Sequence, residues 1–248
     1  PYGGCAFACK YCYVREMPIQ RFKGMPWGQW VEVKTNAAER YRAEIRKLRA
    51  RGRPVRLFMS SATDPYQPVE REERVTRGLL EAMLDLPPDL LVIQTRGPLI
   101  VRDLDLLVGL KEKCTLIVSM TIETDREEIR RLFAPAAPGV GLRMNALREV
   151  RRAGVVTQAA VAPVLPFSPA FPALLADIAD RVWIDTLTIG DGAMGRRSAR
   201  LGMPQLYAEH HLSEWYRDDL HERVEACFRQ VFPPDRIRVS RDGAFPEG

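Results

Sequence analysis

Gly4-Cys5-Ala6-Phe7-Ala8-Cys9-Lys10-Tyr11-Cys12-Tyr13 opens the chain with three cysteines in a C-x3-C-x2-C spacing and a tyrosine on either side of the third. Three thiolates are one short of a closed metal site, since a structural zinc takes four protein ligands and an electron-transfer iron–sulfur cluster is normally held by four cysteines. A three-ligand site keeps one metal corner for a substrate or cofactor. The motif therefore points to chemistry rather than to stability. Zinc remains an alternative, with Cys114, Cys227, His210, His211 or His221 as fourth ligand. In that case the chain would be a non-catalytic zinc or iron–sulfur protein with a structural or redox-sensing role. Disulfides fit poorly, because five cysteines is an odd number, no secretory signal is expected and a chain of 248 residues needs no staples.

Working outward from the cysteines, 46% hydrophobic content supports a substantial core in one large α/β domain. No run approaches about 18 uninterrupted apolar residues, so no membrane span is expected. A cytoplasmic setting is expected, where an exposed metal–thiolate centre escapes oxidation. The formal charge of +5 permits an anionic partner such as nucleic acid. Only six of the 37 basic residues are lysines, and the densest arginine cluster, Arg40 to Arg56, is interleaved with Glu39 and Glu44. That pattern reads as a solvated, salt-bridged helix face.

Beyond the cysteines, short β-branched runs alternate with helical segments, the pattern of a parallel sheet covered by helices. Strands are expected at 55–60, 90–95, 115–121, 155–164 and 182–189, and helices at 37–51, 70–84, 101–111, 125–133, 142–153, 171–179 and 212–231. Asn36 stands where an N-cap belongs, and Gly52 where the first helix stops. Trp215, Leu220, Val224 and Phe228 fall roughly on one face of the last helix, which suits packing on the barrel.

The cysteine loop, with Tyr11 as the aromatic residue before the third cysteine, resembles that of the radical S-adenosylmethionine (SAM) superfamily. The resemblance implies a partial (β/α)6 TIM-like barrel, here with a truncated first strand, spanning residues 1–200, and a C-terminal helical extension, 201–248, packed on it. It also implies a 4Fe-4S cluster on Cys5, Cys9 and Cys12, with SAM chelating the remaining iron. An electron from a reductant such as flavodoxin or ferredoxin would then cleave SAM to a 5'-deoxyadenosyl radical that abstracts hydrogen from a substrate.

Within that superfamily the order of Cys-Lys-Tyr-Cys-Tyr, Thr63-Asp64-Pro65, Thr95-Arg96 and the strand holding Ser119 is similar to the spore photoproduct lyase family and its relatives labelled DNA repair photolyases. The likeness runs from Pro1 to about Pro166. It implies that Arg96 and Ser119 grip the SAM carboxylate, that Ala162 and Pro163 pack beside the nucleoside, and that Tyr11 and Ser61 belong to the cofactor pocket. Tyr13 matches a tyrosine of that family's radical-transfer route. Ser61 stands where the family has a hydrogen-donating cysteine, and a serine O–H is too strong to give its hydrogen atom to a carbon radical. DNA repair by the strict lyase route is therefore in doubt, while nucleic acid stays open as a substrate. Arg196, Arg197 and Arg200 follow the glycine-rich 190–195 segment and could form a basic edge over the barrel mouth.

Overall fold

A computed structural model describes residues 1–243 and Phe245. The chain begins with β1 (Tyr2–Gly3), which pairs antiparallel with β2 (Glu32–Val33). Six parallel strands follow in sequence order: β3 (Arg56–Met59), β4 (Leu90–Thr95), β5 (Thr115–Thr121), β6 (Val156–Val161), β7 (Arg181–Ile184) and β8 (Ile237–Val239). Register places Leu90 beside Thr115 and Val182 beside Ile237. Phe58 on β3 and Trp183 on β7 are four strand spacings apart, about 19 Å in a flat sheet. Their ring centroids lie 6.3 Å apart, so the sheet curls into a barrel wall.

The alternation of side chains sorts the strands into an outer and an inner face. Leu91, Ile93, Val118, Met120, Ala159, Val182 and Ile184 face outward into the main core, where the helices Val75–Asp85, Leu104–Lys111 and Val140–Arg152 cover them. Inside, Leu90, Val92 and Ile117 pack with Phe58 at the barrel floor. Toward the C-terminal strand ends the inner face turns polar, with the Gln158 amide donating to Ser119 Oγ at 2.8 Å and the Gln94 amide donating to Thr121 Oγ1 at 2.6 Å.

All five expected strands are present. The sixth, β8, lies in the segment read as a helical extension, where three residues, Ile-Arg-Val, carry too little periodicity to stand out. Tyr2–Gly3, the extended stub before Cys5, pairs with β2 and not with the six-stranded sheet. The expected helix at 70–84 is two, Glu70–Glu73 and Val75–Asp85, parted at Arg74 with φ 51°. The buried Glu70 carboxylate explains the break, because it accepts the Thr76 and Arg77 N–H groups at 2.8 and 3.2 Å and so satisfies the second helix's first turn. The expected helix at 212–231 resolves into a 3-10 turn, Ser213–Trp215, and a helix, Leu220–Phe228. Leu220, Val224 and Phe228 are buried against the sheet as the periodicity required. The arginine-rich helix Ala37–Ala50 buries only Ile45 and pairs Arg42 with Asp85 and Lys47 with Glu44, a solvated charged face. Among the described residues no helix is long and apolar enough to cross a membrane.

Candidate active site at the barrel mouth

The cysteine loop is seated by its own apolar residues. Phe7, Cys9 and Tyr11 pack with Ile129, Phe133, Leu165, Leu187 and Tyr207, a second core beside the barrel. Gly4, at φ 73°, has no room for a side chain, because a Cβ there would stand 2.4 Å from the Trp30 carbonyl oxygen. This close approach holds the start of the loop against the strap that follows it. The loop thus closes over the C-terminal ends of the strands, the end where barrels of this kind gather their chemistry.

A cavity of about 260 Å3 opens there. Cys5, Cys9, Cys12, Tyr11, Tyr13, Ser61, Arg96, Ala162 and Pro163 all line it, so residues up to 158 positions apart in the sequence share one wall. Ser119 does not line it. It lies fully buried in the barrel interior, one layer beneath Thr121, and takes the Gln158 hydrogen bond. The expected direct contact of Ser119 with a bound carboxylate therefore has no counterpart in this geometry.

Arg96 sits at the centre of a buried network. Its Nη1 donates to Glu123 Oε1 at 2.7 Å, to the Tyr11 hydroxyl at 3.0 Å and to Cys9 Sγ at 3.0 Å. Glu123 also accepts the Tyr11 hydroxyl at 2.5 Å and Arg143 Nη1 at 2.5 Å, and Arg143 reaches the Thr121 carbonyl at 2.8 Å. Burial alone would raise the Glu123 carboxyl, but the Arg143 and Arg96 charges and the Tyr11 bond overrule it and hold it at about 2. Burial likewise opposes the Arg96 charge, and Cys9, Tyr11 and Glu123 more than offset it. Asp64 fixes where Arg96 begins, accepting Thr95 Oγ1 at 2.6 Å and the N–H groups of Arg96 and Tyr66 at 2.7 and 2.9 Å. Burial raises the Asp64 acid, and these bonds pull it back.

Burial also pushes the thiols up, Cys5 and Cys12 to about 12, with Cys9 moved in the same direction. Among the described residues, no three His, Cys, Asp or Glu side chains gather around one point as a single metal ion requires. The two cysteines that were candidate fourth zinc ligands are also poorly placed. Cys114 precedes β5, about 20 Å from the strand's C-terminal end, and its thiol donates to the Leu110 carbonyl at 3.4 Å. Cys227 is exposed on the helix Leu220–Phe228.

The opposite wall holds residues that sequence reasoning did not single out. Trp183 forms part of the floor, with its indole N–H donating to the Ser240 carbonyl at 2.7 Å. Asp185, just past β7, faces the cavity, and burial, reinforced by Asp191, raises its acid to about 6 against the pull of the Thr186 N–H and His221. Gly190 keeps this space clear, since a Cβ would stand 2.4 Å from the Asp185 carboxyl. Tyr13 donates its hydroxyl to the Ser61 carbonyl at 2.8 Å, which brings these two cavity-lining residues together. Glu123 stands two residues past β5, and nothing local in the sequence marks it out. Arg143 carried no signal at all among so many arginines.

The family described as the radical SAM superfamily matches residues 1–167. An uncharacterised protein of Methanocaldococcus jannaschii is 31% identical over 165 residues, 66% of this chain and 59% of that protein. A protein of Acidianus two-tailed virus is 29% identical across 95% of this chain and 78% of its own length. A "Radical SAM Nalpha-GlyT isomerase" of Pseudomonas phage M6 is 27% identical over 67% of this chain and 32% of that protein. The chain thus spans 59% of the Methanocaldococcus protein and 48% of a Mycobacterium tuberculosis relative that is 31% identical. Among solved structures, a spore photoproduct lyase variant with bound AdoMet and dinucleoside spore photoproduct has a TM-score of 0.64 at 17% identity, covering 96% of this chain and 74% of that one. At that identity the likeness speaks for the fold, a partial TIM-like barrel. With three cysteines seated at the mouth of such a barrel, and the family matching through the first four barrel strands, the chain belongs to the radical SAM superfamily, which implies SAM and an iron–sulfur cluster.

Proposed function

We propose that Cys5, Cys9 and Cys12 hold a 4Fe-4S cluster, that SAM binds beside it in the mouth cavity, and that the enzyme abstracts a hydrogen atom from a nucleic-acid substrate. The observation that carries this reading is the meeting of three thiols, Arg96 and Tyr13 on one cavity. The donor set fits the cluster. In a cubane each cysteine binds a different iron, so the thiols must face a shared volume without converging on one point. Their raised pKa values are those of buried thiols, and cluster binding makes them thiolates with release of protons. When bound, the cofactor pair supplies reductive cleavage of SAM to a 5'-deoxyadenosyl radical, with the electron coming from a carrier such as flavodoxin or ferredoxin.

The chain's own residues bind and orient. Arg96 offers a permanently charged, planar fork for the SAM carboxylate. Glu123 and Arg143 fix that fork from behind, and Glu123 also accepts the Tyr11 hydroxyl. Ala162 and Pro163 give the nucleoside an apolar wall. Tyr13 faces the substrate, with its hydroxyl engaged by the Ser61 carbonyl. The Ser61 hydroxyl cannot return a hydrogen atom to a carbon radical, so the reaction departs from that of the strict lyase. A nucleic-acid substrate is supported by the dinucleoside in the spore photoproduct lyase structure and by Arg196, Arg197 and Arg200, on the helix that follows the cavity-lining Gly190 and Asp191.

The test is anaerobic reconstitution with iron and sulfide, followed by reduction with SAM. Formation of 5'-deoxyadenosine is expected. A cluster-loaded, SAM-binding protein that never forms it refutes the reading. Ultraviolet-irradiated DNA added to the same reaction tests photoproduct repair, and unchanged photoproduct moves the substrate to another nucleic acid.

A further inference from the structure

Anything that reacts in the cavity must first cross its rim. Two elements reach the cavity, one through Tyr13, Val14 and Trp27 and the other through Gly190 and Asp191: the strap that leaves the third cysteine, through the turn Tyr13–Glu16 and the helix Pro18–Arg21 to Trp27, and the 190–195 loop that leads into the helix Arg196–Arg200. Glu16 ties the two together, its Oε2 accepting Arg21 Nη2 at 3.0 Å and Arg200 Nε at 2.8 Å. Among the described residues the two most exposed large hydrophobic side chains are Phe22, 87% exposed, and Met194, 79% exposed, one on each element.

Met194 is no accident of a loose loop. Its φ of 54° is one that a non-glycine residue keeps only where its surroundings enforce it. The Asp191 carboxylate does so by accepting four backbone N–H groups, Ala193 at 2.7 Å, Gly195 at 3.0 Å, Arg197 at 2.8 Å and Ser198 at 3.0 Å. The loop is a fixed mount, and it points an apolar side chain at solvent. On the other element Phe22 stands between Arg21 and Lys23, and Met194 is followed within three residues by Arg196 and Arg197. The carboxylates of these elements are already engaged, Glu16 by Arg21 and Arg200, Glu32 by Lys23, and Asp191 by the backbone. These pairs also occupy Arg21, Lys23 and Arg200, so among the described residues the cations of the two elements outside any carboxylate pair are Arg15, Arg196 and Arg197, which stand with the apolar tips Phe22 and Met194.

We infer that this rim is a docking surface for an unpaired nucleic-acid strand, with Phe22 and Met194 stacking on bases while Arg15, Arg196 and Arg197 take the phosphates. The inference rests on the reading above that the cavity is where the substrate reacts, and adds to it the state in which a strand is captured. A polyanion alone would need the cations and gain nothing from exposed Phe22 and Met194. A base offers the flat apolar face that such tips fit, and stacking tolerates any sequence. Chemistry on a base recessed below a rim requires that the base leave its stack. Ile19 and Met25, 45% and 46% exposed, widen the apolar strip around Phe22, but the four-residue helix Pro18–Arg21 is too short to present the apolar face by which a surface helix lies on a membrane.

The experiment is fluorescence anisotropy of the cluster-loaded protein with SAM, using one labelled DNA as single strand and as matched duplex, with anionic phospholipid vesicles as competitor. The single strand is expected to bind more tightly than the duplex. Phe22→Ala should weaken single-strand binding about tenfold with the salt slope retained. Arg196→Ala should lower the slope of log affinity against log salt by about one. Met194→Asn, whose side chain tolerates the same backbone conformation, is a second stacking probe should Phe22→Ala fold poorly. Equal binding of duplex and single strand with no loss in either stacking variant overturns the inference, as does displacement by vesicles or the absence of binding. Production of 5'-deoxyadenosine on the same preparation separates the two claims. If it forms while no strand binds, the rim inference falls and the radical reading stands; if a strand binds while none forms, the reverse holds.

Discussion

Glu123→Gln isolates the buried network, because it keeps the side chain's volume and removes the one negative charge that Arg96 and Arg143 share. Arg143 is fully buried, so the substitution leaves a buried cation facing a neutral amide. Breaking a buried pair in this way costs about 3–5 kcal/mol. A second route to the magnitude uses the Glu123 carboxyl itself. Lowering it from 4.5 to about 2 on folding is worth roughly 3 kcal/mol of stability at neutral pH. The two routes agree in size, and predict a fall in Tm of about 6–12 °C for a chain of this length. The sign of the pH dependence follows from the depressed acid. Its contribution is fully present above the unfolded value of 4.5 and is lost as pH falls through that value toward about 2. Urea unfolding of wild type and variant at a series of pH values is the assay. The stability gap should be flat from neutral pH down to about 5 and shrink by more than half by about pH 3. A gap below about 1 kcal/mol at neutral pH, or one that does not change with acidification, refutes the assignment of Glu123 as the network's charged centre.

Arg96→Lys keeps the charge and loses the fork that meets Glu123, Tyr11 and Cys9, so SAM affinity of the cluster-loaded protein should fall about tenfold or more by calorimetry. An unchanged Kd removes Arg96 from the carboxylate grip. Cys9→Ser should abolish the iron and acid-labile sulfide content together with the visible absorbance, and full retention of both would refute the assigned ligand set. Asp185→Asn should stabilise the fold. The wild-type acid is raised from 3.8 to about 6, mainly by burial, so its penalty is absent below 3.8 and grows as pH rises to about 6. Discounted for partial exposure, the variant should gain about 1–2 kcal/mol above pH 6 and nothing below about pH 4 in denaturant titrations. A gain independent of pH would mean that some other contact is responsible.

How much of this was legible in the chain depends on how local each signal is. The five strands at 56–59, 90–95, 115–121, 156–161 and 181–184 announce themselves through short, mostly apolar runs bounded by turns. The short β8 does not, since Ile237–Val239 becomes a strand only because β7 offers it an edge. Thr63, Asp64, Thr95 and Arg96, which the ordered motifs singled out, do line the mouth, yet Ser119 shows the limit of that signal. Its place in the strand puts it on the inner face, and only the depth of the barrel decides that it meets Gln158 rather than the cavity.

The three cysteines, their spacing and the tyrosines beside them were determined by the sequence alone, because the ligands of such a loop are neighbours in the chain. The same holds for the alternation that builds a parallel barrel. The setting of that loop was decided only by tertiary structure. Tyr11 and Glu123 are separated by 112 residues and Arg96 and Cys9 by 87, yet they share hydrogen bonds. No local pattern encodes which of many arginines will be Arg143, fully buried behind a strand-end glutamate, or that Asp191 will fold a loop that holds Met194 out to solvent. Burial gives these charges their effect, and burial is a property of the packed barrel.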